Sequence, residues 1–496
     1  MLSLLSVALM GILLAADSSS AINLDINSVD SVSNAAQGVA SNIMTMYSNT
    51  SEIPGLFPTP YYFWEGGLAW DSMINYWALT GDATYNPLVG EALLYQRGPN
   101  DNFMPQNQTT TEGNDDQSYW ALAAMTAAER GLPVPQSDSA LAVTWAELAQ
   151  NVFDSQTARW DEATCGGGLR WQIFTFNNGY NYKNSASNGN LVQLAARLAL
   201  YTGNATYSDW AQKVTQWSLD VGLIANEDGV VFDGFDTTTN CSSPNHIQWT
   251  ASAGTYLSGA AYASNKTSTT FWNGIGFALY TNANTTFAPN GTLTEVACQS
   301  KCNTDQLAFR AVLARALANM RDLTLDSPVT QEPGCSVNNT KPSPSCADVG
   351  TIHASIDAVL KTSAQGAAAQ CSGGTDGSAC GADWSAFTWD GTQGLGQSLS
   401  ALEILLANLP AVQRRTAVST SSVVTGTSSN GTATSSNGTA TSSNTTATSS
   451  NGTATSGVSS SNTSSSASAS TNVATGCSAS TFALLAGMGF VVASFM

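Results

Sequence analysis

Three stretches, ALTGDATY (78–85), ALYTGNATY (199–207) and ALYTNANTTF (278–287), repeat one local pattern and decide how the chain is read. Each has an apolar helix end, a Gly or Asn stop, and a polar Asp, Asn or Thr start for the next segment. Such punctuation joins two antiparallel helices, so the chain reads as a series of αα-hairpins. The segments outside the repeats agree. Gln117 to Arg130 (QSYWALAAMTAAER) is rich in strong helix formers and stops at Gly131, with Pro133 just beyond. Asn190 to Tyr201, Thr304 to Met320 and Gly394 to Leu409 carry apolar residues at three- and four-residue spacing, and strand-like alternation is scarce. Counting gives about eleven or twelve helices, which predicts an all-α fold, an (α/α)6 barrel or toroid of helical hairpins. A helical solenoid would show the same local pattern.

The ends of the 496-residue chain differ from this middle. Leu2 to Ala16 is an apolar run too short for a permanent span and is followed by the small residues Ser19-Ser20-Ala21, so residues 1–21 read as a cleaved signal peptide. Residues 412–472 are almost entirely Ser, Thr, Asn, Gly and Ala, with N-x-[ST] acceptors at Asn430, Asn437, Asn444, Asn451 and Asn462, and read as a glycosylated, disordered stalk. Residues 473–496 end in an apolar tail after a polar spacer and read as a glycosylphosphatidylinositol (GPI) attachment signal, removed in the mature protein. Asn472 is the expected attachment residue and Ser470 the alternative. A genuine tail anchor is the other reading of the same segment. Residues 22–411 form the folded domain. Its acceptors Asn49, Asn107, Asn204, Asn240, Asn265, Asn284, Asn290 and Asn338 fit a surface that passes through the secretory pathway. The expected location is the outer face of the plasma membrane, the cell wall, or both.

Of nine cysteines, Cys477 falls in the removed tail, leaving eight, an even set compatible with four disulfides of undetermined pairing. Two histidines and scattered cysteine spacing predict no metal site, and no cofactor is implied. A formal charge of -19 with 10% charged residues excludes a generic nucleic-acid binder. An acidic, sparsely charged, aromatic-rich chain suits neutral carbohydrate.

The chemistry centres on TEGNDDQSYW (111–120), where Asp115 and Asp116 stand together just before the alanine-rich helix. Neighbouring Cα atoms are about 3.8 Å apart, and diverging side chains can hold their carboxylates at the ~5–5.5 Å of retaining glycosidases more readily than at the wider spacing of inverting ones. Two like charges this close cannot both ionise freely. One carboxyl should become a general acid while the other stays a nucleophile, helped by the helix N-terminus. The same residues also suit plain capping of a helix start. Aromatics crowd around in YYFWEGGLAWDSMINYW (61–77), SYW (118–120), GGGLRW (166–171) and GYNYKN (179–184), as a sugar cleft requires, although tryptophans also serve cores. The glycines 166–168 suggest backbone that approaches a ligand or packs tightly on a neighbour.

Four blocks, WEGGLAWDSMINYW, NDDQSYWALAAMTAAERG, CGGGLRWQIFTFNNGYNYKNSASNG and CQSKCNTDQLAFR, resemble the fungal branch of glycoside hydrolase family 76, the GPI-anchored mannan endo-1,6-alpha-mannosidase-like proteins known as Dfg and Dcw. The resemblance covers about residue 22 to 411. It implies an (α/α)6 barrel with Asp115 as nucleophile and Asp116 as acid/base. It also implies substrate-binding roles near Trp70, Asp71, Tyr119, Trp171, Lys183, Asn184, Asn188, Asp233 and Asp305. Lys183 reads equally well as a surface cation and Asp305 as a helix cap. The donor implied is α-1,6-mannan or the glycan core of a GPI anchor, the acceptor cell-wall glucan, and the membrane partner is reached through the anchor. A non-catalytic mannan-binding or structural wall protein is the alternative of another class.

Overall fold

The computed structural model describes residues 22–48, 53–135, 143–225, 228–267, 269–324, 349–374, 377–386 and 388–410. The expected signal peptide, stalk and attachment signal lie outside the described residues, as do Asn472, Asn49 and Asn338. Twelve α-helices make up almost all the regular structure among the described residues: α1 (Val29–Ser48), α2 (Phe63–Thr80), α3 (Asn86–Gln96), α4 (Asn114–Arg130), α5 (Trp145–Thr157), α6 (Ser185–Thr202), α7 (Ala205–Asp220), α8 (Thr250–Lys266), α9 (Thr270–Phe287), α10 (Thr304–Thr324), α11 (Val349–Gln370) and α12 (Leu395–Leu406). Two small antiparallel sheets accompany them. One is β1 (Tyr182–Asn184), β2 (Gly234–Asp236) and β3 (Pro244–Asn245), in that order; the other pairs β4 (Cys371–Gly373) with β5 (Ala379–Cys380).

The even-numbered helices form an inner ring. Each packs on the next, from α2 through α4, α6, α8 and α10 to α12, and α12 returns to α2. The odd-numbered helices lie outside, as with α5 against α4 and α6, α7 against α6 and α8, and α1 against α12 and α2. Closure of α12 on α2 separates an (α/α)6 barrel from an open solenoid, which keeps two free ends. The two layers differ in composition for a physical reason. In α2 every residue from Phe63 to Tyr76 is buried, and in α8 every residue from Thr250 to Ala261. A helix enclosed on all sides must be apolar or small all round. The outer helix α7 instead buries one stripe, Tyr207, Ala211, Val214 and Ser218, at three- and four-residue spacing.

Small residues set how closely the inner helices approach. A Cβ at Gly254 of α8 would stand 3.0 Å from the Leu313 Cα of α10, and one at Gly67 of α2 would stand 2.8 Å from the Trp120 backbone nitrogen of α4. The inner helices also share a direction. The Trp64 indole of α2 donates to Asp305 of α10 at 2.8 Å, and Asn184, the N-cap of α6, reaches Asp115 of α4 at 3.0 Å. The Leu395 N–H of α12 donates to the Tyr61 hydroxyl just before α2 at 3.0 Å, and Trp249, the N-cap of α8, donates to Asp233 at 2.9 Å. All six N-termini therefore meet at one end of the barrel.

The punctuation that suggested this fold holds in two of three places. Gly81 and Gly203 end α2 and α6 in the left-handed conformation, and Asn204 caps α7 by accepting the Thr206 N–H at 3.0 Å. The third stretch is not a helix junction: ALYTNANTTF lies wholly inside α9, which runs to Phe287. Asn282 stands where the other copies have glycine, and Leu279, Tyr280, Ala283 and Phe287 continue one buried stripe through it. Without a glycine to release the backbone, burial of that stripe carries the helix on. Among the described residues three disulfides, Cys165–Cys241, Cys298–Cys302 and Cys371–Cys380, supply pairings the sequence left open; Cys335 and Cys346 lie outside the described residues. Of the described glycan acceptors, Asn107, Asn204, Asn240, Asn265 and Asn290 are exposed and Asn284 is half-buried. Gly254→Val is expected to destabilise the protein by about 1–3 kcal/mol through overpacking at the α8–α10 contact, read as a lowered urea midpoint with an unchanged slope.

Candidate active site

The first turn of α4 carries both carboxylates at the end of the barrel where the inner helices begin. Asp115 Oδ1 accepts the Asp116 N–H at 3.1 Å and its Oδ2 accepts the Asn184 side-chain amide at 3.0 Å. Asp116 Oδ2 accepts the Gly113 N–H at 2.8 Å, and the Trp64 N–H of α2 also donates to this carboxylate. Both crowd Gly113: a Cβ there would lie 2.4 Å from Asp115 Oδ1 and 2.9 Å from Asp116 Oδ2. Those two distances place the oxygens within 5.3 Å of each other, their sum.

The pair is electrostatically unequal. Each carboxyl remains partly open to solvent but is otherwise enclosed by protein. Desolvation pushes Asp115 up to about 6, opposed by the Asn184 amide and backbone N–H groups. Asp116 is driven well above the usual carboxylate range, first by desolvation and then by the charge of Asp115. Asp305 adds a smaller upward push to both. The N-termini aimed at the site favour negative charge on the group that does ionise.

Residues 161–184 hold this geometry. The Asn114 N–H donates to the Trp171 carbonyl at 2.8 Å and the Trp171 N–H to the Tyr182 carbonyl at 2.6 Å, tying α4 through the loop to β1. Asn188 clamps the loop from α6, accepting the Leu169 N–H at 2.8 Å and donating to the Leu169 carbonyl at 3.0 Å. The buried Lys183 ammonium donates to the carbonyls of Asp161, Thr164 and Gly167 at 2.9, 2.7 and 2.6 Å and pairs with the Asp161 carboxylate at 3.3 Å. Lys183 thus fixes the middle of β1, while Tyr182 and Asn184 on either side share the opposite face. Gly167 and Gly168 have positive φ and pack against Trp160 and Trp217, so this glycine run serves close packing on a neighbour.

A cavity of about 510 Å³ opens at the same end of the barrel, lined by Trp171, Gly179, Tyr180, Tyr182, Asp233 and Asn245 among others, though by neither aspartate of the pair. Trp171 is 38% exposed and its ring packs on Gly179, where a Cβ would meet it at 2.4 Å. Asp233 accepts from the Tyr182 hydroxyl at 2.6 Å, the Trp249 indole at 2.9 Å and the Asn245 amide at 3.0 Å. Flat rings interleaved with amides and a carboxylate suit a neutral sugar, with its apolar C–H faces and hydroxyl edge.

The residues singled out in the sequence divide into two groups. Trp171, Asn184, Asp233 and Asp305 gather with the aspartate pair at this end of the barrel, and Tyr119 packs against Trp64 with ring centroids 4.8 Å apart. Trp70, Asp71, Lys183 and Asn188 are buried and engage other groups of the protein. Trp70 is fully buried with its indole bound to the Gly55 carbonyl at 2.8 Å, and Asp71 pairs with Arg315, which also holds Glu403, inside the barrel. Lys183 and Asn188 spend their polar atoms on the loop; nor is Lys183 a surface cation, being fully buried. Sequence reasoning passed over Trp64, Glu65 and Glu112. Glu112 is buried, with its carboxyl raised by desolvation and by Asp116. The block FWEGG (63–67) contained the signal for the first two, a glutamate at the third position of a helix start.

Comparison with known proteins gives this geometry a family. The model of glycosyl hydrolase family 76 matches residues 31–333 and 347–422. The mannan endo-1,6-alpha-mannosidase DCW1 of Saccharomyces cerevisiae is 42% identical over 405 residues, spanning 81% of this chain and 84% of that protein. The mannan endo-1,6-alpha-mannosidase DFG5 of Candida albicans is 38% identical, spanning 82% and 86%. Among solved structures, Dfg5 from Chaetomium thermophilum in complex with glucosamine superposes with a TM-score of 0.70 at 34% identity, covering 79% of this chain and 93% of that one. The GH76A alpha-1,6-mannanase of Salegentibacter shares the fold, with a TM-score of 0.57 at 19% identity over 76% of this chain and 98% of that one. With a family model spanning the barrel and curated relatives matched along most of their length, the chain belongs to glycosyl hydrolase family 76 and is a glycosidase of the mannan endo-1,6-alpha-mannosidase family.

Proposed function

We propose that the protein cleaves α-1,6-mannosidic bonds with retention of configuration, through a mannosyl ester on Asp115, and passes the mannosyl unit to water or to a hydroxyl of wall glucan. The unequal pair carries this reading: Asp115, held by Asn184 and a backbone N–H, is the carboxyl that ionises first, and Asp116 is the one that keeps its proton. In the first step Asp115 attacks the anomeric carbon while Asp116 protonates the departing glycosidic oxygen, so the C–O bond breaks as the ester forms. In the second, Asp116, now ionised, takes a proton from water or from a sugar hydroxyl. That oxygen then attacks the anomeric carbon and Asp115 leaves as carboxylate.

Hydrolysis and transfer share the first step and differ only in the acceptor. The names of the relatives support an α-1,6-mannan donor, and the amide- and aromatic-lined cavity at the same end of the barrel supports a neutral sugar there. The glycan core of a GPI anchor offers a mannose-rich donor of the same class. Attachment of this protein to the outer face of the membrane through Asn472, and a role in building the fungal wall, complete the proposal. They are supported by the composition of the two ends and by the fungal sources of the curated relatives.

Asp115→Asn is expected to lower turnover of an α-1,6-manno-oligosaccharide at least about 1000-fold with the helical circular dichroism intact. Asp116→Asn should lose about 100- to 10,000-fold on the same substrate. It should lose far less on a mannoside whose leaving group needs no proton; unchanged turnover in both variants would sink the assignment. The pH profile of kcat/KM should be a bell. Because Asp115 acts as the anion and sits at about 6, activity falls as pH drops through that value; because Asp116 acts as the acid and is held high, activity falls again as it loses its proton in alkali. Mixing the protein with a mannoside donor and labelled glucan oligomers decides the acceptor. An elongated labelled product shows transfer, whereas free mannose with unextended glucan leaves hydrolysis alone.

A further inference from the structure

Glu65 is completely buried at the third residue of α2, and the displacement just described does not use it. Its Oε2 accepts the Tyr62 N–H at 2.8 Å, while its Oε1 is buried with no hydrogen-bonding partner among the described residues. Asp116 occupies the same third position of α4 and takes the Gly113 N–H in the same way. Two neighbouring inner helices thus open with one device, one carboxyl facing the cleft and the other sealed behind it. Between them stands Trp64, whose N–H reaches Asp116 and whose indole reaches Asp305. The titratable groups facing Glu65 are Asp305 of α10, Asp116 of α4 and the Tyr61 hydroxyl, which the Leu395 N–H of α12 engages.

An ionised Glu65 would bury a charge with one oxygen lacking a donor, facing two further carboxyls. A neutral carboxylic acid removes the buried charge and its repulsion by the other two carboxyls. Desolvation accordingly lifts this carboxyl to about 9. A negative Glu65 would also push the catalytic carboxyls upward and hinder release of the Asp116 proton to the departing oxygen in the first step.

We propose that Glu65 is a positioning residue held as the neutral acid, locking the first turn of α2 so that Trp64 stays on Asp116 and Asp305 and keeping one negative charge out of the catalytic group. The inference rests on the assignment of Asp116 as acid/base. Its test uses the full-length protein, the Glu65→Gln and Glu65→Ala variants, and an α-1,6-manno-oligosaccharide. Gln can keep the acceptor for Tyr62 and stay uncharged, so it should hold kcat within about tenfold and leave both limbs of the pH profile in place; Ala should lose about 100-fold in kcat with little change in KM. A downward shift of both limbs by about one unit in Glu65→Gln would show that an anion had been removed and would overturn the proposal. So would full activity in Glu65→Ala. The infrared difference spectrum of wild type minus Glu65→Gln at neutral pH should contain a protonated-carboxyl stretch, and carboxylate bands in its place would overturn the proposal even if the Ala variant failed to fold. Full turnover of Asp116→Asn on the same oligosaccharide would instead bring down the acid/base assignment, with the infrared band still deciding the charge of Glu65.

Discussion

Six helices can share the inside of one barrel only if their axes come close, and this closeness governs what the rest of the molecule can be. Contacts such as Gly254 on Leu313 and Gly67 on Trp120 leave no room for a side chain. They explain why glycine stands at the closest contacts between inner helices. Closure also removes the freedom of each helix to slide. The first turns of α2, α4, α6 and α10 are fixed relative to one another by packing far below them, so side chains from distant parts of the sequence meet at hydrogen-bond distance.

The same convergence sets the electrostatics. Four carboxyls, Glu65, Asp115, Asp116 and Asp305, collect where helix N–H groups are directed, and all four are pushed upward by desolvation. Helix N-termini favour the anion and burial opposes it, so small differences in donors decide which group keeps its proton. Asp115 has a side-chain amide from another helix; Asp116 has backbone donors but also the charge of Asp115 beside it. Consecutive residues of identical chemistry thereby acquire different proton affinities.

Much of the fold was legible because helix ends announce themselves locally. Gly81 and Gly203 did so, whereas the third copy of the pattern misled because Asn282 can sit inside a helix when a buried stripe runs past it. In the site, Asp115 and Asp116 were legible from their adjacency before a helix. The surroundings of Lys183, Asn188, Asp71 and Trp70 were not, since these residues engage the loop at 161–169, Arg315 and Gly55, partners that only tertiary packing supplies. Glu65 was missed for the complementary reason: its visible partner is the main chain of Tyr62, while its neighbours Asp116 and Asp305 come from other helices.

The shared direction of the inner helices also separates the two ends of the barrel. Since α12 begins beside Tyr61, at the carboxylate end, its twelve residues carry the chain about 18 Å toward the opposite mouth. Pro410, the last described residue, therefore lies toward the end of the barrel away from the carboxylates. The reactive groups and the end of the described chain are held about one helix length apart.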